Sequence, residues 1–304
     1  MEWLFNIINI PLSYILNFFA DIFGNSFAAA VLLFTVFINA VLIPLSIKSQ
    51  KSSVGQMRVK PKLDELKKKY GDDKQRYSQE MQKLYQEENI SMSGGCLPMI
   101  IRTLIVFSIY YLITKPLTYL MNISTEVIDK VEKVIETGTQ YRELSIIDAV
   151  SKDPSISQEI ASKLDTIDFT LWGINLTETP KFTINILEGF ELNWLIPLAA
   201  FAAQMISSII TMRMQKRINP DAPSMGGMML TMPLISLFIG FTVPAGVGFY
   251  WACSSIVSCV IQTCLQYFYG PQKMLASERA KEIIKVYEDE QKYINKRVSD
   301  SADV

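Results

Sequence analysis

Apolar and polar residues follow one another along this chain in long blocks. Apolar runs at residues 27–47, 97–120, 194–214, 225–241 and 246–269 are separated by charged stretches. About 20 apolar residues are what a helix needs to cross a hydrocarbon core roughly 30 Å thick. Each run therefore reads as a membrane span, the one at 225–241 only just long enough. Ahead of them, residues 1–23 carry Asn6, Asn9, Ser13, Asn17 and Asp21 along one helical stripe, opposite Trp3, Leu4, Ile7, Ile8, Ile15, Phe18, Phe19 and Ile22. That pattern predicts an amphipathic helix lying in the membrane interface, with Pro11 as a point of bending. A cleaved signal would want Lys or Arg before its apolar core, and only Glu2 is charged here.

The charges between the runs set a direction. Residues 48–93 hold eleven Lys and Arg against seven acids, whereas residues 122–193 hold six against thirteen. Basic loops stay in the cytoplasm, so 48–93 is expected inside and 122–193 outside. Arg213, Lys216 and Arg217 place the short loop 215–224 inside, and the charged tail 270–304 ends inside as well. Five spans with the N-terminus out and the C-terminus in satisfy every loop. Within 48–93 the turn signal Tyr70-Gly71-Asp72-Asp73 divides two helical patterns, predicting a helical hairpin. It reads both as a solvated coiled-coil linker and as a mobile basic cap over the cytoplasmic mouth. In 122–193, residues 126–136 read as an amphipathic helix and 169–173 as short extended structure.

Several spans carry polar residues at helical spacing, so that one face could line a wet cavity. The first has Thr35, Asn39 and Ser46. The third has Gln204, Ser208, Thr211 and Gln215, and the fifth Ser255, Ser258, Gln262 and Gln266. The second has Arg102, a guanidinium that costs about 2.5–3.5 kcal/mol at mid-membrane on insertion scales and so turns away from lipid. At 1.5 Å per residue, Asn39 and Arg102 both fall roughly 10–14 Å in from the cytoplasmic ends of their helices. No Asp or Glu lies inside any of the runs. An arginine in such a cavity would attract acidic residues of a hydrophilic segment on its way across. Singly, the Ser and Thr positions are equally served by packing and by bonding back to the preceding turn.

With 49% hydrophobic residues and a mean hydropathy of +0.21, the chain falls in the membrane class. It has no histidine, which removes the commonest general base and metal ligand. Cys96, Cys253, Cys259 and Cys264 form no CxxC pair and read as small buried thiols. No cofactor, metal site or enzymatic activity is expected. An intramembrane hydrolase would need a nucleophile motif or paired Asp, and a transporter would show inverted repeats with broken helices. A scaffold that holds helices together without inserting them stays open as an alternative.

Four stretches carry a resemblance: Ile43-Pro44-Leu45 closing the first span, the basic hairpin, Gly95-Cys96-Leu97-Pro98 opening the second, and Pro244-Ala245-Gly246-Val247-Gly248-Phe249-Tyr250-Trp251 opening the last. Together they resemble the YidC/Oxa/Alb membrane protein insertase family, of the Gram-positive type. The resemblance implies an all-α membrane protein: five transmembrane helices around a hydrophilic groove open to cytoplasm and lipid. It implies an insertase and chaperone working alone or with the Sec translocon, without ATP. Nascent membrane proteins would be its partners, with substrate or ribosome recruited by the hairpin and tail. The substrate-facing residues would be Arg102, Asn39, Thr35, Gln204, Ser208, Thr211, Ser255, Ser258 and Gln262. The family's arginine belongs to the first span, where this chain has Asn39. The position of Arg102 is ordinarily an uncharged polar residue. The positive charge would thus have moved to the facing wall at about the same depth.

Overall fold

The computed structural model describes residues 2–88, 97–135, 141–164, 166–181, 191–218 and 226–302. Gly95 and Cys96 of the second-span motif and residues 219–225 lie outside the described residues. The chain is mostly helical. It divides into two units, Met1–Leu42 with Ile100–Ile261 and Ile43–Met99 with Gln262–Val304.

In the first unit, helix α1 (Glu2–Ile22) packs along α2 (Phe27–Val41). The chain reverses at Gly24 and Asn25, both at φ +64°, the left-handed region these two residue types enter at least cost. The Asn25 N–H donates to the Ala20 carbonyl at 2.8 Å and closes α1. Ser26 then caps α2 by accepting from the Ala29 N–H at 3.4 Å. α2 stops at Val41, inside the run 27–47. Pro44 has no N–H to offer the preceding turn, but is tolerated in the first turn of the next helix, α3 (Ile43–Tyr70). With 15 residues, α2 is only about 22 Å long.

Helix α5 (Leu97–Thr114) and the single turn α6 (Pro116–Tyr119) follow. The acidic segment then folds into α7 (Thr125–Ile135), α8 (Arg142–Lys152) and α9 (Gln158–Leu164). Their inner faces bury Ile128, Val131, Leu144, Ile146, Ile147, Val150 and Ile160, continuous with a core that includes Phe27, Phe34, Leu112 and Leu117. A two-residue-loop hairpin, β1 (Thr170–Leu171) and β2 (Ile174–Asn175), pairs Thr170 with Asn175 and Leu171 with Ile174. Its loop residues Trp172 and Gly173 both have positive φ, +50° and +82°, as a loop matched to strand twist requires.

Helices α10 (Leu195–Ile218), α11 (Gly226–Gly240) and α12 (Ala245–Tyr269) complete the apolar set. Missing side chains let them approach. A Cβ on Gly240 would lie 2.9 Å from Pro197 Cβ, and one on Gly248 3.1 Å from Ile196 Cγ2. One on Gly246 would lie 3.1 Å from both Ile113 Cγ2 and the Leu176 carbonyl oxygen. That carbonyl accepts from the Gly246 N–H at 2.8 Å, so the start of α12 is fastened to the end of the β-hairpin.

Among the described residues, two helices are long and apolar enough to cross a membrane, Leu192–Met214 and the one beginning at Ala245. A third follows if α2 and α3 count as one span. Thr103–Thr114 and Leu230–Gly240 are shorter apolar helices. Among the described residues, helix length alone thus supports two or three spans, with Pro44 dividing one apolar run and α11 having 15 residues. Only 17% of the Leu192–Met214 window is fully buried within the chain, and Leu195, Leu198 and Ile206 stand 42–58% exposed, apolar surface of the kind a lipid surround covers. The chain is an all-α membrane protein.

The second unit is built on α3, α4 (Lys74–Glu87) and α13 (Pro271–Ala302). α4 packs on α3, and α13 also runs against α3. Asp73 caps α4, its Oδ1 accepting from the Arg76 N–H at 3.0 Å. Few apolar side chains are fully enclosed here, chiefly Val54, Val59, Leu84 and Leu265.

Candidate functional site

Two sets of polar side chains are enclosed among the apolar helices of the first unit. The larger lies on α1. Asn9 is 0% exposed and Ser13 is 5% exposed, whereas Ile7, Ile10, Tyr14, Phe18 and Ile22 are all close to or above half exposed. From Asn6 to Asn17 the polar stripe is thus turned into the protein while Ile7, Phe18 and Ile22 of the apolar stripe face outward, the reverse of a soluble amphipathic helix and the arrangement a lipid surround favours; Asp21 at the helix end is exposed. Asn17 Nδ2 donates to the Leu120 carbonyl at 2.9 Å, and the Tyr119 hydroxyl donates to Asn6 Oδ1 at 2.8 Å. These bonds tie α1 to α6, where a short helix end leaves carbonyls in need of donors. Asn9 and, on α5, Ser108 are buried without a hydrogen-bond partner among the described residues.

The second set contains the residues singled out in the sequence. Thr35 is 1% exposed and donates its hydroxyl to the Val31 carbonyl at 2.7 Å, the bond back to the preceding turn that Thr makes in apolar helices. Asn39, 9% exposed, donates through Nδ2 to the Thr35 carbonyl at 2.8 Å. Its Oδ1 accepts from the Ser258 hydroxyl of α12 at 3.1 Å. That bond joins residues 219 positions apart in the chain and brings the polar stripes of α2 and α12 together. Ser258 and Ser255 are half-buried on α12. The carboxamide holds both helices without burying a charge, a contact of the kind that associates helices in lipid.

The remaining residues are less closely drawn in. Gln204, Ser208 and Thr211 are half-buried along α10, and none is hydrogen-bonded to Asn39 or Ser258 among the described residues. Gln262 is exposed and belongs to the second unit. Arg102 belongs to α5, but its side chain lies outside the described residues. No group of His, Cys, Asp or Glu among the described residues is placed to hold a metal ion.

Among the described residues Glu143 is the one buried carboxylate, and sequence reasoning passed over it. It is 1% exposed and accepts from the Thr118 N–H at 3.0 Å and the Thr118 hydroxyl at 2.7 Å. Burial raises its pKa above the usual Glu value, opposed by those two hydrogen bonds and by the charges of Lys115 and Arg142. It clamps the acidic segment to α6. The only signal in the sequence was an acid directly beside Leu144 in a helical pattern.

Comparison with known proteins bears on this arrangement. The family model described as 60Kd inner membrane protein matches residues 18–272. The chain is 29% identical over 266 residues to a protein named Membrane protein insertase YidC from Rickettsia conorii, covering 87% of this chain and 39% of that protein. It is 27% identical to the one from Rickettsia felis, with the same coverage. The YidC of Agrobacterium fabrum is 28% identical over 268 residues, 88% of this chain and 37% of that protein. The chain thus spans about two-fifths of the length of the curated relatives it matches. The matched region takes in α2, α5 and α10 to α12, and with them Asn39, Arg102 and Ser258. The chain belongs to the 60Kd inner membrane protein family.

Proposed function

We propose that this protein is a membrane protein insertase, and that the polar wall of Thr35, Asn39, Ser255 and Ser258 with Arg102 faces the hydrophilic part of its substrate. The observation that carries the reading is the Asn39–Ser258 hydrogen bond, which puts two polar stripes side by side within apolar helices. Neutral side chains there can exchange partners with water or with a passing peptide at little cost. Arg102 supplies the positive charge that draws acidic residues inward. Gln204, Ser208 and Thr211 on α10 and Gln262 on α12 face the substrate's hydrophilic part as well, and its apolar helix slides against the apolar faces of α10 and α12. Insertion makes and breaks no covalent bond, so no catalytic residue is assigned. Nascent membrane proteins are the substrates, and the Sec translocon and ribosome are the partners that the basic hairpin and the tail would meet. The finer architecture follows the charges: five helices around a groove open to the cytoplasm, N-terminus outside and C-terminus inside.

The same reading explains the missing arginine on α2. The wall needs one guanidinium at that level, and α5 provides it in place of α2. Complementation of an insertase-depleted strain tests both points. Arg102→Gln should fail to support growth, and Asn39→Arg combined with Arg102→Gln should restore it. Equal growth of all variants would sink the exchange. Insertion of a Sec-independent single-span reporter into vesicles holding only this protein tests the activity itself. A crosslink from Gln204 to the reporter should form only while insertion proceeds; a permanent one would favour a scaffold.

A further inference from the structure

We infer that Trp172 is a lipid anchor that seats in the headgroup layer at the rim of the apolar helices. Trp172 is 90% exposed, the most exposed of the large apolar side chains among the described residues. It sits at the tip of the β1–β2 hairpin with φ +50°, a backbone conformation that an aromatic residue rarely adopts. The flanking Leu171 packs on the core, and Trp194 and Trp251 are wholly or partly buried. The turn accounts for its backbone conformation, but at 90% exposure the indole itself is packed on almost nothing among the described residues. A strained and exposed residue points to a role outside the fold.

The hairpin cannot swing freely. The Phe27 N–H donates to the Asp168 carbonyl at 2.9 Å, and the Asp168 N–H donates to the Asn25 carbonyl at 2.8 Å. The Phe27 and Phe169 rings lie 5.0 Å apart. On the other side, the N–H groups of Ala245 and Gly246 donate to the carbonyls of Glu178 and Leu176, each at 2.8 Å. The hairpin is therefore fixed to the first residues of α2 and α12 together. β2 also packs on the one-turn helix Leu192–Trp194 that leads into α10. There Leu192 and Leu195 stand 48% and 46% exposed, so the apolar surface continues from the helix ends toward the hairpin.

All three helices begin at this rim, and an indole fixed level with the ends of apolar helices is placed where Trp is enriched in membrane proteins. Its ring is apolar and its N–H can bond to headgroup or water, which suits that layer better than either bulk phase. A lipid surface is the partner that this placement at the ends of apolar helices fits. The leaflet rests on the orientation proposed above, which makes it the outer one. Contact with headgroups does not depend on that orientation.

The full chain is reconstituted in phosphatidylcholine–phosphatidylglycerol vesicles with Trp3, Trp194 and Trp251 replaced by Phe. The remaining Trp172 emission should shift to the blue and lose most of its intensity when the acyl chains are brominated near the headgroups. Should the triple variant not fold, Trp172→Phe in the otherwise native chain replaces it. That substitution should remove the part of the emission quenched by lipids brominated at that depth. Emission at the position of indole in water, quenched by iodide and not by brominated lipid, would overturn the inference, as would unchanged quenching after Trp172→Phe. Protease access to residues 122–193 from outside the vesicle reads orientation separately, so a wrong orientation is distinguished from a wrong anchor.

Discussion

The acidic segment and the basic hairpin are both long charged stretches between apolar helices, yet they are held together by different means. The acidic segment buries Ile128, Val131, Ile146, Val150 and Ile160 and encloses the Glu143 carboxylate against Thr118. The basic hairpin of α3 and α4 encloses little beyond Val54, Val59 and Leu84 among the described residues, and its cross-links include the ion pairs of Arg58 and Lys62 with Glu88 and the Arg76 guanidinium over the Tyr70 ring. Net charge alone does not decide whether such a stretch becomes a packed cap or a solvated arm. What decides is whether apolar residues recur on one helical face often enough to close a core.

The sharpest way to break this comparison is to remove a side chain from the acidic segment's core. Ile146 is 0% exposed, so Ile146→Ala should cost about 2–5 kcal/mol through lost contacts and the cavity left behind. Protease cleavage within residues 122–193, followed in membrane vesicles, should accelerate at least tenfold. Cleavage at the native rate would mean that the segment is not held by its core.

Glu143 gives a smaller effect with a defined sign. Its folded pKa lies above the ordinary value of 4.5 because burial disfavours the charged form. The folded state therefore binds the proton more tightly than the unfolded one. Stability of the segment is greatest below 4.5 and falls as pH rises from there through the raised pKa, then levels. In Glu143→Gln, protease resistance should be flat across that window. A native-like pH dependence in the variant would assign the titration to another group.

How much of this was legible in the sequence depends on how local each signal is. Helical character, the charge segregation and the polar positions Thr35, Asn39 and Ser258 are local, and single residues announce them. The partner of Asn39 is not, because one sequence does not say which of the aligned stripes meets it. The α1 stripe was visible as a stripe. Periodicity separates two faces but does not say which one turns inward, and in lipid the apolar face is the outer one. The division of the run 27–47 was written in Pro44, but hydropathy averaged over a window passes across it. Helices α8 and α9 are short, and their apolar residues acquire meaning only against α7 and the core below.

The weakest expected effect is the most direct probe of the basic hairpin. Glu88 receives Lys62 and Arg58, but the side chains of the two bases remain 59% and 42% exposed. Water solvates such charges nearly as well as they solvate each other, and holding long side chains in one geometry costs rotamer freedom. Glu88→Ala should therefore leave the thermal unfolding midpoint of the purified protein unchanged within error, at low and at high salt. It should still raise the hairpin's net positive charge by one, so any change in reporter insertion would be an effect of charge on a partner rather than of folding. A clear drop in the midpoint, recovered by no change of salt, would show that Glu88 holds the hairpin as Ile146 holds the acidic segment, and the distinction between packed cap and solvated arm would fail at that residue.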